Sequence, residues 1–297
     1  LALTLVVVVG ENDVTAAERA ATRAAAEHPC RLLIVVRRDL EAATPRLDAE
    51  VLVGGRLGPG EAAVLLMSGR LGLHAESVVL PLLAPDAPVV TWWFDAPPPL
   101  LARDPLGVLA DRRITDVSLA ADPVAALAER AADYAPGDTD LSWTRATPWR
   151  ALCASALDVA DVEAVDSACV TGQENDPSQR LLAGWLGGRL GLDVGLEPGA
   201  DPIVGVAFGL KGGQSLRLTR HGETSVLLQA SERTDRTLPL VERGLGDLLA
   251  EELRRLDADE PYAEALEVAT GERDLSDRSP TRTHVWHDPE QPGAGPA

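Results

Sequence analysis

The chain is nearly devoid of lysine: of its 27 basic residues, all but Lys211 are arginine. A Schiff-base mechanism or a phosphate-loop lysine would have to use that one side chain. Three cysteines, Cys30, Cys153 and Cys169, form no CxxC pair. So sparse and odd a set excludes a disulfide scaffold and fits a reducing compartment. They read as small buried hydrophobes, with Cys153 and Cys169 the pair to consider for redox chemistry. Long apolar runs are missing too. The longest, Leu1 to Val9, falls short of the ~20 residues that span a bilayer. It has neither a basic flank nor a small-residue cleavage site, so it does not read as a signal peptide, and the cytoplasm is the default location. Positive charge is scarce: 27 basic against 46 acidic residues leave a net charge of −19. Phosphate backbones and anionic membrane surfaces are bound by clustered Lys and Arg, so neither nucleic acid nor membrane is an expected partner. Catalytic signatures are absent as well: the sequence holds no GxxxxGK, GxGxxG, HExxH or GxSxG. No cofactor is expected.

What remains is ordinary globular composition. The chain has 297 residues, of which 45% are apolar and 25% charged, and this length suggests two domains. Leu3 to Val9 is uniformly apolar and β-branched, as a strand buried on both faces must be. A turn at Gly10–Asp13, an alanine-rich helix to Glu27 and a strand at Arg31–Val36 complete a βαβ unit. Alternation over Leu47–Val53 and again over Val64–Ser68 predicts a hairpin around the glycine-rich turn 54–60. Helices are expected at Ser77–Leu83, Pro105–Arg112 and Pro123–Tyr134, the last capped by Asp122, and strands at Val89–Phe94 and Ile114–Ser118. Past Pro136, Thr147-Pro148 reads as an N-cap and first turn of a helix to Leu157, and Asp176-Pro177 repeats the device. A strand at Val162–Val170 is followed by a meander over Ile203–Phe208, Ser215–Arg220, Thr224–Gln229 and Arg236–Leu240. A helix from Leu245 to Leu256 and a short one at Tyr262–Val268 close the chain.

The expected architecture is therefore α/β, with two mixed α/β domains. The first, 1–135, starts with the βαβ unit and adds an antiparallel hairpin. Residues 136–147 lie between domains. The second, 148–269, holds the antiparallel meander with flanking helices, and 270–297 reads as a disordered tail from which only Trp286 could dock. His284 and His287 in that tail would lack the supporting shell a metal site needs, so no metal is expected.

The six tryptophans stand out against two Phe and two Tyr. Trp92 and Trp93 are adjacent on a strand and point to opposite faces. Asp138, Asp140, Trp143, Arg145, Trp149 and Arg150 follow within thirteen residues. Trp and Arg are enriched at interface hot spots. These residues either cement the two domains or form a docking surface for another protein.

Several of these stretches resemble one family. They are Arg46–Val51, Ser77–Leu83, Pro85–Val90 with Trp92-Trp93, Arg112–Asp116, Pro136–Arg145 with Pro148–Arg150, and Leu249–Asp257. Together they resemble the actinobacterial glucose-6-phosphate dehydrogenase assembly protein family, OpcA, in order and over nearly the whole chain. The resemblance implies two α/β domains without catalysis, a glucose-6-phosphate dehydrogenase partner, and promotion of that enzyme's active oligomer in the pentose phosphate pathway. It also implies a segment before Leu1. The loop Phe94–Pro98 and the region Leu192–Gly213 depart from the family pattern, so no partner contact is carried onto them. Redox tuning through cysteines, seen in cyanobacterial relatives, does not map onto Cys30, Cys153 or Cys169. The rival reading is an α/β enzyme or sugar-phosphate-binding protein, with its ligand at the carboxyl ends of the strands near Asn12, Asp13 and the loop Pro97–Asp104.

Overall fold

The computed structural model describes residues 3–53, 61–158, 162–231 and 233–280. The turn at 54–60 and the tail residues His284, Trp286 and His287 lie outside them. Two mixed α/β sheets with flanking helices make up the fold.

The first sheet contains β1 (Thr4–Val9), β2 (Arg31–Arg37), β3 (Arg46–Val53), β4 (Glu61–Ser68), β5 (Val89–Trp93), β6 (Arg112–Thr115) and β7 (Asp138–Asp140). Their order is β3-β4-β2-β1-β5-β6-β7. All neighbours are parallel except β3, which pairs antiparallel with β4. The chain reverses its direction of travel across the sheet between β1 and β5, so the six parallel strands have doubly wound order. Apolar side chains on both faces of each central strand explain this burial. Leu5, Val7, Val9, Leu32, Ile34 and Val36 face one layer, and Val6, Leu33 and Val35 face the other. The first layer is α1 (Val14–Glu27). The second contains α2 (Arg70–Leu73), α3 (Ala75–Val79) and α4 (Pro105–Val108). Helix α5 (Pro123–Asp133) follows β6 and is capped by Asp122, whose carboxylate accepts from the Val124 and Ala125 amides.

After α6 (Leu141–Arg145) and α7 (Thr147–Leu157) comes the second sheet. Its strands are β8 (Val165–Gln173), β9 (Val194–Gly199), β10 (Gly205–Leu210), β11 (Gln214–Arg220), β12 (Ser225–Ala230) and β13 (Arg236–Pro239). Their order is β13-β12-β11-β10-β8-β9. The expected meander is there. Helix α8 (Pro177–Leu190), capped by Asp176, lies with α7 on the core face of this sheet. The chain closes with α9 (Leu245–Leu253) and α10 (Glu260–Thr270).

Several boundaries differ from the sequence reading, for tertiary reasons. The helix expected over Pro105–Arg112 ends at Val108, because Arg112 begins β6. That strand stops at Thr115, and Val117–Leu119 is a single 3-10 turn. The helix over Ser77–Leu83 is α3 followed by a 3-10 turn at Leu80–Leu82. Thr147 does not cap α7; Ala146 occupies that place, and the Thr147 hydroxyl donates to Glu251. Strand β9 was not expected, since Val-Gly-Leu-Glu-Pro-Gly has neither alternation nor β-branched density.

Two differences change the architecture. Residues 136–147, read as a segment between domains, contain β7 and α6, both built into the body: Asp138, Asp140, Leu141, Ser142, Trp143 and Thr144 are all buried. Helix α9 returns from the second sheet to pack on α1, placing Leu248, Leu249, Ala250 and Leu253 in the core of the first. The start of the tail is also ordered. Leu275 is fully buried beside Tyr262 and Leu266, and the Arg278 guanidinium donates to the carbonyls of Ala131, Ala132 and Tyr134 at the end of α5.

Candidate functional site

Doubly wound sheets bind ligands where strand order reverses, outside the carboxyl ends of the flanking strands. Here that place lies beyond Val9 and Trp93. A dinucleotide site would offer free backbone N–H groups and the positive end of a helix to phosphate. The loop between β1 and α1 reads Gly10-Glu11-Asn12-Asp13, with one glycine and two acids. The Gly10 amide donates to the Asp95 carboxylate, so an internal anion already sits where the phosphate would. Glu11 pairs with Arg38 at 2.8 Å. A neighbouring cavity of about 420 Å³ is lined by Asp95, Asp116, Glu129 and Arg130. Arg130 is committed to the Pro98 and Pro99 carbonyls, and Asp116 to Arg145. The crevice is thus acidic, with its cations engaged.

The tryptophans of the Trp/Arg-rich segments are buried. Trp92 and Trp93 are each 1% exposed, and Trp143 and Trp149 each 3%. Trp92 points into the α1 layer, and Trp149 into the core of the second sheet. Asp138 pairs with the fully buried Arg113 and accepts from the Ala135 amide. Asp140 accepts from the Thr115 hydroxyl at 2.6 Å and from the Val117 and Ser142 amides at 2.9 Å. Burial raises its carboxyl above the usual range, and the Asp116 charge adds to the rise. Of the candidate partner-binding residues, Trp92, Trp93, Asp138, Asp140, Trp143 and Trp149 are buried in this structure. Arg145 and Arg150 are only partly covered. Arg145 holds Asp116 and Ser118. Arg150 stacks on Trp143, its guanidinium carbon 3.2 Å from the ring centre, and its Nη2 donates to Thr147 at 2.7 Å. Burial lowers the Arg150 guanidinium to about 10, so it stays charged at neutral pH.

A second polar knot ties α9 to the first sheet. Glu252 accepts from Arg112 Nε at 3.1 Å and from the Thr144 hydroxyl at 2.6 Å, while Arg112 Nη1 donates to the Asp257 carbonyl. Trp143 Nε1 donates to Asp259, the cap of α10. Sequence reasoning found Trp143 but not its acceptor Asp259, which lies over a hundred residues away.

The second sheet leaves one face open. Its core side carries Val170, Val206, Phe208, Leu216, Leu218, Val226 and Leu228. The opposite side carries Cys169, Thr171, Ala207, Arg217, Thr219, Leu227 and Gln229, all partly or fully exposed. Register places Cys169 beside Ala207, Ala207 beside Arg217, and Arg217 beside Gln229. Arg217 forms no ion pair among the described residues. Cys153 lies in the core on the other side of this sheet, so it cannot reach Cys169.

Two family models match the chain: one described as the glucose-6-phosphate dehydrogenase subunit N-terminal domain, over residues 21–132, and one as its C-terminal domain, over residues 136–266. The chain belongs to the OpcA family of glucose-6-phosphate dehydrogenase assembly subunits. The two matches are separated by residues 133–135, between the end of α5 and β7. No curated protein matches the sequence significantly. Solved structures similar to this OpcA-family chain include KijD10, a 3-ketoreductase from Actinomadura kijaniata in complex with NADP. It has 13% identity and a TM-score of 0.42, over 90% of this chain and 95% of that one. An oxidoreductase from Sinorhizobium meliloti has 12% identity and a TM-score of 0.43, over 96% of this chain and 92% of that one. Likeness at that level says nothing about activity or ligand. Among the described residues of the OpcA-family chain, no helix is long and apolar enough to cross a membrane.

Proposed function

We propose that this OpcA-family chain performs no chemistry of its own and activates glucose-6-phosphate dehydrogenase in the cytoplasm by binding its active assembly more tightly than its inactive one. A ligand shifts such an equilibrium by its differential affinity, and ~1.4 kcal/mol is enough for a tenfold change. The observation that carries the non-enzymatic part is the Asp95 carboxylate on the Gly10 amide. It occupies the anion position of a doubly wound sheet, flanked by a loop that lacks the remaining glycines of a dinucleotide site.

For the docking surface we infer the open face of the second sheet, with the dehydrogenase as its occupant. Six strands at ~4.8 Å spacing and six residues at ~3.3 Å rise give a plane of ~24 by ~20 Å. With its rim, that suits the centre of a standard interface, which buries about 800 Å² on each partner. Arg217 stands near the middle, a cation with no ion pair among the described residues, available to a partner carboxylate. Arg145 is less suited, since its guanidinium is spent on Asp116. The test is Arg217→Glu with Leu227→Asp, two outward positions whose replacement leaves the core untouched. Loss of co-elution with the dehydrogenase at an unchanged melting temperature supports this face; normal co-elution removes it. The rival reading, a sugar-phosphate or dinucleotide enzyme at the strand ends, requires NADP binding or turnover by the isolated chain.

A further inference from the structure

One cavity, of about 350 Å³, has Arg150, Arg254, Arg255, Trp185, Glu251 and Asp259 in its lining, with the Arg112–Glu252 pair at its wall. It is walled by α6 to α10 and lies away from both the strand ends and the open sheet face. Its charges do not cancel. Glu252 is taken by Arg112 and Thr144. Glu251 is taken by Arg243, which pairs with it from outside the cavity, and by Thr147. Arg150, Arg254 and Arg255 then face one remaining carboxylate, Asp259, whose hydrogen bonds come from the neutral Trp143 indole and Tyr262 amide, so two positive charges are left over. Arg150 is fixed by Thr147 and the Trp143 ring, and its buried Nη1 has no hydrogen-bond acceptor. Arg254 and Arg255 are exposed and form no ion pair among the described residues. In a chain of net charge −19, two excess positive charges at one concavity are a local reversal of sign.

We propose that this cavity binds a small phosphorylated polyol, a sugar phosphate. Arginine is suited to phosphate because its planar fork donates two parallel N–H bonds. The half-buried Trp185 offers an apolar surface to a sugar ring. Asp259 and Glu251 keep lone pairs that accept hydroxyl protons. A phosphorylated polyol meets both parts of this lining at once, its phosphate on the arginines and its hydroxyls on the two carboxylates. The volume lies within the ~300–1,000 Å³ usual for small-molecule sites. This inference stands on the cavity alone and does not depend on where the dehydrogenase docks.

Calorimetric titration of the full chain with glucose 6-phosphate, glucose and inorganic phosphate tests it. Glucose 6-phosphate gives saturable heat, inorganic phosphate binds more weakly, and glucose gives no signal. Arg254→Gln with Arg255→Gln weakens glucose 6-phosphate by roughly tenfold or more, from the loss of charge-assisted bonds, with the melting temperature unchanged. Arg150→Gln weakens it as well, and its melting curve, recorded alongside, separates lost binding from lost folding. The proposal is overturned if glucose 6-phosphate gives no saturable heat, or if the double variant binds it as the parent does. Equal affinity for inorganic phosphate overturns the polyol part. If the parent binds no probe and the double variant fails to activate the dehydrogenase, the cavity is a protein-docking site and the proposal is wrong.

Discussion

Glu252→Ala probes the joint between the closing helix and the first sheet. Glu252 and Arg112 are 5% and 3% exposed at their side chains. The carboxylate joins three elements: β6 through Arg112, α6 through Thr144, and α9, on which it stands. Removing it leaves a guanidinium in the interior, with the Asp257 carbonyl as its one remaining acceptor. Breaking a buried pair from one side costs about 3–5 kcal/mol, chiefly because the surviving charge stays desolvated. In domains of 150–250 residues each kcal/mol moves the midpoint by ~2–4 °C, so a fall of roughly 6–20 °C is expected in a thermal melt. Arg112→Met combined with Glu252→Leu removes both charges and refills the volume, and should recover most of that loss. The reasoning is refuted if Glu252→Ala melts within about a degree of the parent, or if the apolar double variant is worse than the single one.

Three further outcomes follow from packing. Burial pushes the Cys30 thiol up to about 11 and the Cys153 thiol further; burial and the Glu197 carboxylate also raise Cys169, but it alone of the three is partly exposed, on the open sheet face. A raised thiol pKa keeps the nucleophilic thiolate scarce until the pH approaches it. At pH 8 a thiol reagent should therefore modify one cysteine in the native chain and all three after unfolding; rapid reaction of two native thiols would contradict this. A Cβ at Gly184 would come 2.3 Å from the Ala265 carbonyl oxygen, so Gly184→Ala should separate α8 from α10 and destabilise by ~1–3 kcal/mol in denaturant titration; wild-type stability would show that the helix pair has slack. Ending the chain at 270 in place of 280 removes buried Leu275 and the Arg278 bonds, and should lower stability by ~2 kcal/mol or more. Identical melts for those two truncations would show that 271–280 does not pack.

The parts legible in the sequence are those where local pattern and burial agree. The run Thr4–Val9 can only be a strand covered on both sides, and Asp122, Asp176 and Asp259 announce helix starts that the structure confirms by their amide bonds. The antiparallel meander shows through its alternation. What stayed hidden depends on distant partners. Asp138–Asp140 is a polar tripeptide, and it becomes a strand because Arg113 and Thr115 wait beside it as donors. Leu248 and Leu253 mark a helix face, but nothing local says that it packs on α1 from the other sheet. The tryptophans mark a region whose packing the sequence does not reveal. Indoles and guanidiniums mark a hot spot and a buried joint equally well in composition, and the partner of the Trp143 indole, Asp259, lies far along the chain. Leu227 and Arg217 gave no such signal, because an outward row on a strand has the same pattern whether water or a partner covers it.

The most direct test of the account mixes the purified chain with the purified cognate dehydrogenase and follows NADP reduction and oligomeric mass together. The chain alone should bind no NADP and reduce none. Added to the enzyme, it should raise the rate or the apparent affinity for glucose 6-phosphate, in step with formation of a complex containing both chains. An unchanged rate with no shared complex, or reduction of NADP by the chain alone, would contradict it.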